Sequence, residues 1–596
     1  MTPSASAAYP TADNAAEESK SAGTLARHRA VRPHPRRFLP ETATLSNWAA
    51  IEPFFDQLEA RDIDTVGQLE AWLADLSEFN SALAEEGSAR YIEMTCATDD
   101  PAYEAAYLAF VTEIAPKTAP RAFALSRKYL ASPARTALPP EKYAMYDRAT
   151  KADVDLFREE NVALLTEDET LSQQYQKACG EQTAVLRGEE LTLPRIAKNL
   201  EETDRALRRE AWTVMTARQM VDRDAMEDIF DRMVALRTKI AANAGRDNYT
   251  AYRFEQLHRF DYGPEACFAF HDAVEKHVVP LVKRLRERRK ASMGLTELCP
   301  WDLAVDPEGL PPLRPFEGAA GLVAGADSIF AAVDPSFRDD FAVLRDRGLL
   351  DLESRKGKAP GGYQSSLDEV GLPFIFMNAT GRNTDVFTLL HEGGHAFHSL
   401  AYRDQPLHDY RNAPIEFCEV ASMGMEMMAC ERLESFYAPG DAARARRMHL
   451  EDVVNLLPWV ARVDAFQHWM YANPGHTRAE RAGQWLALGS RFGDDLSWPE
   501  LPEWRGCSWI SKLHFFCVPF YYIEYGIAQL GALQLWDRFL DDGPSAIAGY
   551  RRALALGASR PLPELFATAG LEFDFGDVTM ARLMARMEAK LFPAAV

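Results

Sequence analysis

TDVFTLLHEGGHAFHSLAY, residues 384–402, is a segment whose apolar residues recur at intervals of three and four. That spacing predicts an amphipathic helix over about residues 384–403. His391 and His395 lie one turn apart on the same face of such a helix, so their imidazoles can converge on one metal ion. Glu392 lies beside them, where its carboxylate can accept a proton from a metal-activated water. The segment therefore predicts a metal site with an adjacent base.

The two central residues of this motif favour a functional over a purely structural interpretation. Gly393 and Gly394 each destabilise a helix by about 1 kcal/mol relative to alanine. A helix that keeps both glycines beside two histidines is poorly explained as plain core. His398 shares the face of His391, and the sequence leaves open whether it packs behind the ligands or contacts a substrate.

A second helix is expected from Pro414, in PIEFCEVASMGMEMM, because proline suits the first position of a helix. Glu416, Glu419 and Glu426 share one apolar stripe of it, which is unfavourable for a buried face unless a cation lies opposite. A catalytic zinc takes three protein ligands and keeps one position open. Glu419, 24 residues after His395, is the predicted third ligand of one zinc per chain. The start of the helix explains Glu416 electrostatically, and the role of Glu426 stays open.

The composition is that of an ordinary globular protein. The chain has 596 residues, 47% apolar and 26% charged, with a formal net charge of −22 at pH 7. This acidic balance argues against a nucleic-acid partner, because binding phosphates requires a basic surface. The eight cysteines include no CxxC pair and favour free thiols in a reducing compartment. No signal peptide or membrane span is predicted, so a cytoplasmic protein without a membrane partner is expected.

The pattern along the chain predicts a mainly α fold with one small antiparallel or mixed β-sheet next to the helix of the metal motif. Residues 1–36 are expected to form a flexible tail, and residues 37–256 an N-terminal helical lobe. Residues 257–596 are expected to form the catalytic lobe. Its strand-like run, residues 373–378, lies between turn signals immediately before the motif.

HEGGHAFH (391–398) followed by PIEFCEVASMGMEMM (414–428) resembles the thimet oligopeptidase and oligoendopeptidase F family of zinc metallopeptidases. PFIFMNATGRNTDVFTLLHEGGH (373–395) and PRRFLPE (35–41) also resemble passages of that family. The resemblance implies a large helical ellipsoid with a deep central channel and zinc on the channel floor. It further implies a metalloendopeptidase acting on short unstructured peptides. It supports His391, His395 and Glu419 as zinc ligands and Glu392 as general base.

The segment HFFCVPFYYIEYG, residues 514–526, resembles the family's C-terminal His-and-Tyr motif, which implies catalytic roles for His514, Tyr521 and Tyr525. The two tyrosines are four residues apart and are predicted to be neighbours on one helical face. Neutral phenols there can donate hydrogen bonds to an oxyanion. The run Phe374–Asn378 is predicted to be an edge strand against which an extended peptide can pair.

Three alternatives remain open from the sequence. A zinc carboxypeptidase or dipeptidyl carboxypeptidase would need a cation for the substrate's C-terminal carboxylate. A di-iron carboxylate protein would combine Glu255-x-x-His258 with Glu392-x-x-His395, but it leaves His391 without a role. A catalytically inactive peptide-binding module would have no reason to keep base, ligands and tyrosines together.

Overall fold

The computed structural model describes residues 32–593. Residues 1–31 of the predicted tail therefore lie outside the described residues. The last part of that tail is packed against the body, because Arg32 and Arg36 form ion pairs with Glu369 at 3.3 and 2.5 Å. The side chains of both arginines are less than a tenth exposed.

Helices make up most of the described chain. Up to residue 292 they are α1 (Trp48–Ala60), α2 (Val66–Cys96), α3 (Pro101–Ala109), α4 (Ala115–Ala131), α5 (Pro140–Leu156), α6 (Glu159–Gly180), α7 (Leu193–Ala197), α8 (Arg205–Val221), α9 (Arg223–Asn243), α10 (Tyr249–Gln256), α11 (Pro264–Ala273) and α12 (Val279–Ser292). Beyond it they are α13 (Gly318–Val333), α14 (Pro335–Asp346), α15 (Asn383–Tyr402), α16 (Ile415–Ala429), α17 (Pro439–Ala472), α18 (Arg478–Arg491), α19 (Trp504–Cys507), α20 (Leu513–Cys517), α21 (Ile523–Asp541), α22 (Gly543–Leu554), α23 (Leu562–Ala569) and α24 (Asp577–Leu591). Short 3₁₀ or π turns link several of them.

Two small sheets interrupt the helices. Strands β1 (Thr183–Leu186) and β2 (Glu189–Thr192) form an antiparallel hairpin. Strands β3 (Leu350–Glu353), β4 (Tyr363–Leu367) and β5 (Leu372–Ala379) form a mixed sheet next to α15, with β5 in the centre. This confirms the predicted mainly α fold with a small mixed sheet beside the motif helix. Among the described residues no helix is both long enough and apolar enough to span a membrane.

The prediction that Phe374–Asn378 is an edge strand is wrong. β5 pairs in parallel with β3 on one side and antiparallel with β4 on the other. Nearly all its residues are buried, as expected for a central strand with both faces covered. β4 is an edge strand of this sheet, and it contacts α15.

The core around the motif is a stack of three helices, in which α16 packs between α15 and α21. Small residues set the spacing of this stack. A Cβ added at Gly394 would lie 2.6 Å from the carbonyl oxygen of Ala421, and one at Gly531 would lie 2.7 Å from the side chain of Val420. Gly394 of the motif thus permits a close backbone approach between α15 and α16. This approach explains why a residue of low helix propensity occurs inside α15.

We expect Gly394→Ala to lower the free energy of unfolding by about 1–3 kcal/mol, because the added methyl group must separate two packed helices. The same separation would move α16 away from α15 and weaken metal binding. Chemical denaturation and metal titration measure both effects. Gly483→Ala is the matched control, since that exposed glycine lies inside α18 with no atom within 4 Å of its added Cβ. A Gly394→Ala protein as stable as the wild type would contradict this account of the glycine.

Candidate metal centre

His391, His395 and Glu419 form one compact group at the interface of α15 and α16. One ligand atom from each lies within 4.8 Å of the others. The Nε2 atoms of His391 and His395 lie 3.5 and 3.8 Å from Oε2 of Glu419. The Glu419 side chain is buried, whereas the two imidazoles keep partial exposure, so the group is open on the histidine side.

Glu426, whose role the sequence left open, orients His391. Its Oε1 lies 2.7 Å from Nδ1 of His391, so the Nε2 atom of that ring is left to face Glu419. His449 lies behind it, with Nε2 at 3.9 Å from Glu426 and its ring stacked on Phe387. A carboxylate behind a ligating imidazole is the usual arrangement for fixing its tautomer and raising its basicity.

The protonation states of the two histidines follow from their surroundings. Burial lowers the pKa of His395 well below its ordinary value, so this imidazole is neutral, the state in which a ring nitrogen binds metal. For His391 burial acts in the same direction, but the hydrogen bond and charge of Glu426 raise its pKa to about 9. The negative charge around His391 therefore favours a cation at this position.

Glu392 is nine-tenths hidden from solvent, adjacent to the group. Burial is the main cause that raises its pKa to about 7, and the charge of Glu419 adds to it, while His391 and a backbone hydrogen bond from Gln364 act in the opposite direction. Gln364 lies on β4, so the edge strand and the carboxylate are close together. A carboxylate whose pKa lies near neutrality suits a general base.

The group's chemistry fits a divalent cation. Two imidazole nitrogens and one carboxylate oxygen are the donor set of many catalytic zinc sites. Burial is the main cause that raises the pKa of both Glu392 and Glu419, and a neighbouring carboxylate adds to it in each case, Glu419 for Glu392 and Glu426 for Glu419. A divalent cation between the ligands would compensate these charges. His391, His395 and Glu419 would hold the ion.

His514, Tyr521 and Tyr525 lie together near Glu419. Their ring centroids are 5.4 to 6.0 Å apart, and Oη of Tyr521 is 3.5 Å from Oε1 of Glu419. The two tyrosines are neighbours, as predicted, but Tyr521 precedes α21, which begins at Ile523, so the predicted common helical face is wrong. Phe520, immediately before Tyr521, has a φ of 64°, in the left-handed region.

The state of these three side chains suits hydrogen-bond donation. Burial raises the pKa of Tyr521 and Tyr525, with the charge of Glu419 as the next cause, so both phenols stay protonated at neutral pH. Burial lowers the pKa of His514 to about 4, and the charge of Lys512 adds to this effect. The Nδ1 atom of His514 is buried without a hydrogen-bond partner among the described residues.

Sequence reasoning missed the contact that accounts for Glu416. Its carboxylate is buried, accepts a hydrogen bond from Tyr262 at 2.7 Å and lies 3.6 Å from Arg259. Arg259 also donates to Glu524 at 2.6 Å and to the carbonyl oxygen of Phe520 at 2.5 Å. The cation opposite Glu416 is therefore an arginine more than 150 residues earlier in the chain, and it links α16 to Phe520, the residue before Tyr521. A role at the helix start does not explain this burial.

Two other residue groups singled out from the sequence lie elsewhere. His398 is buried, contacts the rings of Tyr402 and Phe417, and has a pKa lowered to about 3 by burial, so it packs in the core. Glu255 forms a bidentate pair with Arg246, and His258 contacts Asp153 at 2.7 Å. Among the described residues, Glu255 and His258 do not join the group at His391, which leaves the di-iron arrangement without support.

Comparison with known proteins gives two family matches. Residues 199–584 match the family model described as Peptidase family M3, and residues 38–157 match the Peptidase M3 N-terminal domain. The first match alone covers more than half of the chain. It includes the predicted ligands His391, His395 and Glu419, the predicted base Glu392, and residues 514–525.

Individual relatives agree with these matches. The chain is 24% identical over 322 residues to an oligoendopeptidase F homolog of Lactococcus lactis subsp. lactis (strain IL1403), which covers 51% of this chain and 50% of the relative. It is 25% identical over 326 residues to the oligopeptidase PepF of Bacillus subtilis (strain 168), covering 50% and 44%. The chain thus spans about half the length of these curated relatives. The solved structure of PZ peptidase A with an inhibitor superimposes with a TM-score of 0.85 at 27% identity, covering 92% of this chain and 98% of that one.

Proposed function

The chain belongs to peptidase family M3, and from this membership and the geometry of the site we propose that it is a zinc-dependent oligoendopeptidase. It hydrolyses internal peptide bonds of short unstructured peptides. The observation that carries the proposal is the convergence of two imidazoles and one carboxylate, within 4.8 Å of one another, beside a buried glutamate. The names of the relatives, oligoendopeptidase F and oligopeptidase PepF, support the same class of substrate.

Each residue of the site has a defined task in this proposal. His391, His395 and Glu419 hold the ion. Zinc, when bound, supplies a Lewis acid that polarises the scissile carbonyl and lowers the pKa of water. Glu392 takes the proton from the attacking water and passes it to the leaving amine nitrogen, as expected of a buried carboxylate with a pKa near neutrality.

The tyrosines and the edge strand act on the substrate. Tyr521 and Tyr525 donate hydrogen bonds to the oxyanion that forms from the carbonyl, and His514 binds the substrate next to them. β4 (Tyr363–Leu367) is the strand along which an extended peptide can pair, since Gln364 lies within hydrogen-bonding reach of Glu392. Main-chain pairing of this kind accepts many sequences.

The proposal is tested by cleavage of an internally quenched peptide, with the products identified by mass, before and after chelation of the protein. We expect internal cleavage, loss of cleavage on chelation and recovery on addition of zinc. Products released only from the C-terminus would favour a carboxypeptidase instead. A metal-loaded protein that cleaves no peptide would overturn the assignment as a peptidase site.

We expect Tyr521→Phe and Tyr525→Phe to lower kcat by at least about tenfold with little change in KM, because a donor to the oxyanion acts mainly in the transition state. Steady-state kinetics on the same peptide separate the two parameters. Tyr522→Phe is the matched control, since the hydroxyl oxygen of Tyr522 accepts hydrogen bonds from Trp459 and Lys512. A kcat unchanged in both Tyr521→Phe and Tyr525→Phe would remove the phenols from the mechanism.

A further inference from the structure

A second group of metal-ligating side chains lies between α11 and α17, outside the site already described. One ligand atom from each of Cys267, Asp464 and His468 lies within 4.8 Å of the others, and all three residues are buried. His271 joins them, with Nε2 at 2.9 Å from Oδ2 of Asp464. These residues were not singled out from the sequence, because they form no compact motif.

Helix geometry brings the four side chains together. Cys267 and His271 are four residues apart on α11, and Asp464 and His468 are four residues apart on α17. Residues at this spacing lie one above the other on the same helical face. Since α11 packs against α17, each helix presents a pair of ligand side chains to the other.

Two polar atoms in this group make no hydrogen bond in the described part of the chain, although Nε2 of His468 lies 3.4 Å from Oδ2 of Asp464. Oδ1 of Asp464 and Nε2 of His468 are buried and make no hydrogen bond among the described residues. Aromatic rings surround the histidines, with Phe268 and Phe520 about 5 Å from the ring of His468. A carboxylate oxygen without a hydrogen bond in such an apolar shell destabilises the folded protein unless a cation compensates it.

We propose that Cys267, Asp464 and His468 bind a second divalent metal ion of the zinc class, with a structural role. A thiolate, a carboxylate and an imidazole are donors that suit zinc, and one thiolate plus one carboxylate balance a charge of +2. The ion would bind both atoms that make no hydrogen bond among the described residues, Oδ1 of Asp464 and Nε2 of His468. His271, which is hydrogen-bonded to the other oxygen of Asp464, orients the carboxylate.

The position of this group suggests what the ion would stabilise. Gln467, next to His468 in the chain, accepts a hydrogen bond from the backbone N–H of Phe520 at 2.5 Å. Phe520 is the residue of left-handed conformation immediately before Tyr521. An ion joining α11 to α17 therefore stabilises the position of Phe520 and of Tyr521 after it, without contacting substrate.

The first test is metal analysis of the full-length protein. We expect about two zinc ions per chain in the wild type and about one in Cys267→Ser, because one ligand of the second site is lost. Cys430→Ser is the matched control, a buried cysteine that is not part of either group, and it should keep about two. Equal metal content in folded Cys267→Ser and wild type would overturn the proposal.

Cobalt exchange tests the wild type directly and does not depend on a folded variant. Cobalt bound to a thiolate gives a sulfur-to-metal charge-transfer absorption in the near ultraviolet, and the His391–His395–Glu419 group has no sulfur donor. We expect this absorption in wild type and Cys430→Ser, and its loss in Cys267→Ser. Cobalt binding without the thiolate absorption in the wild type would overturn the proposal. Neither readout uses peptidase activity, so a failure here is distinct from a failure of the proposed function.

Discussion

Glu392→Gln is expected to lower kcat by about 10²–10⁴-fold while the protein keeps its zinc. Glutamine has nearly the same shape as glutamate but cannot accept the proton of the attacking water. Burial makes this site sensitive to the exchange, since bulk water reaches Glu392 poorly and is a weak substitute for the carboxylate. Steady-state cleavage of the quenched peptide and metal analysis of the same preparation give both quantities.

The kcat/KM of the wild type is expected to depend on pH through the same carboxylate. Burial raises the pKa of Glu392 to about 7, and a bound cation would act in the opposite direction. Below that pKa the carboxyl is protonated and cannot act as base, so kcat/KM should fall on the acid side. The residual kcat/KM of Glu392→Gln should not show this decrease at low pH.

A matched control makes the Glu392 result specific. Glu434→Gln changes a largely exposed glutamate that pairs with Arg446, at 3.2 Å on the surface. Such pairs contribute little to stability, so this variant should keep wild-type kinetics. Wild-type kcat in a folded Glu392→Gln protein would exclude Glu392 as the base.

The metal group could be predicted from the sequence because helix geometry fixes it locally. Spacing of four residues puts His391 and His395 on one face whatever the rest of the fold does, and α15 spans Asn383–Tyr402 against the expected 384–403. The prediction of Glu419 needs one further inference. An acidic side chain on the apolar face of a helix is expected to bind a metal ion held by a neighbouring helix. The structure brings the Glu419 carboxylate to within 3.8 Å of both imidazoles.

The rest of the site depends on contacts between distant parts of the chain, which spacing does not encode. Arg259 pairs with Glu416 and Glu524, and nothing in the local sequence of α16 indicates that partner. Tyr521 and Tyr525 have helical spacing, but Tyr521 follows the left-handed Phe520 and α21 begins only at Ile523. The apolar run of β5 predicted a strand, yet its central place in the sheet depends on β3 and β4.

Glu419→Ala is expected to remove the ion from the His391 group, with a loss of metal affinity greater than about 100-fold and loss of peptide cleavage in proportion. Without its carboxylate, two imidazoles remain, and the added cavity exposes the core between α15 and α16. Glu426→Gln should lose less, about 10–100-fold, because it only weakens the hydrogen bond that orients His391. Competition with a chromophoric chelator measures both affinities.

The relative metal affinities of these two variants distinguish a metal ligand from a residue that orients a ligand. If Glu419 binds the ion directly, its variant must lose one metal equivalent relative to the wild type, while Glu434→Ala keeps the full content because that side chain points to solvent. High zinc should restore cleavage in Glu426→Gln, whose three ligands are intact, before it restores cleavage in Glu419→Ala. Normal metal content in a folded Glu419→Ala protein would contradict its assignment as third ligand and turn attention to Glu426, the nearest other carboxylate to His391.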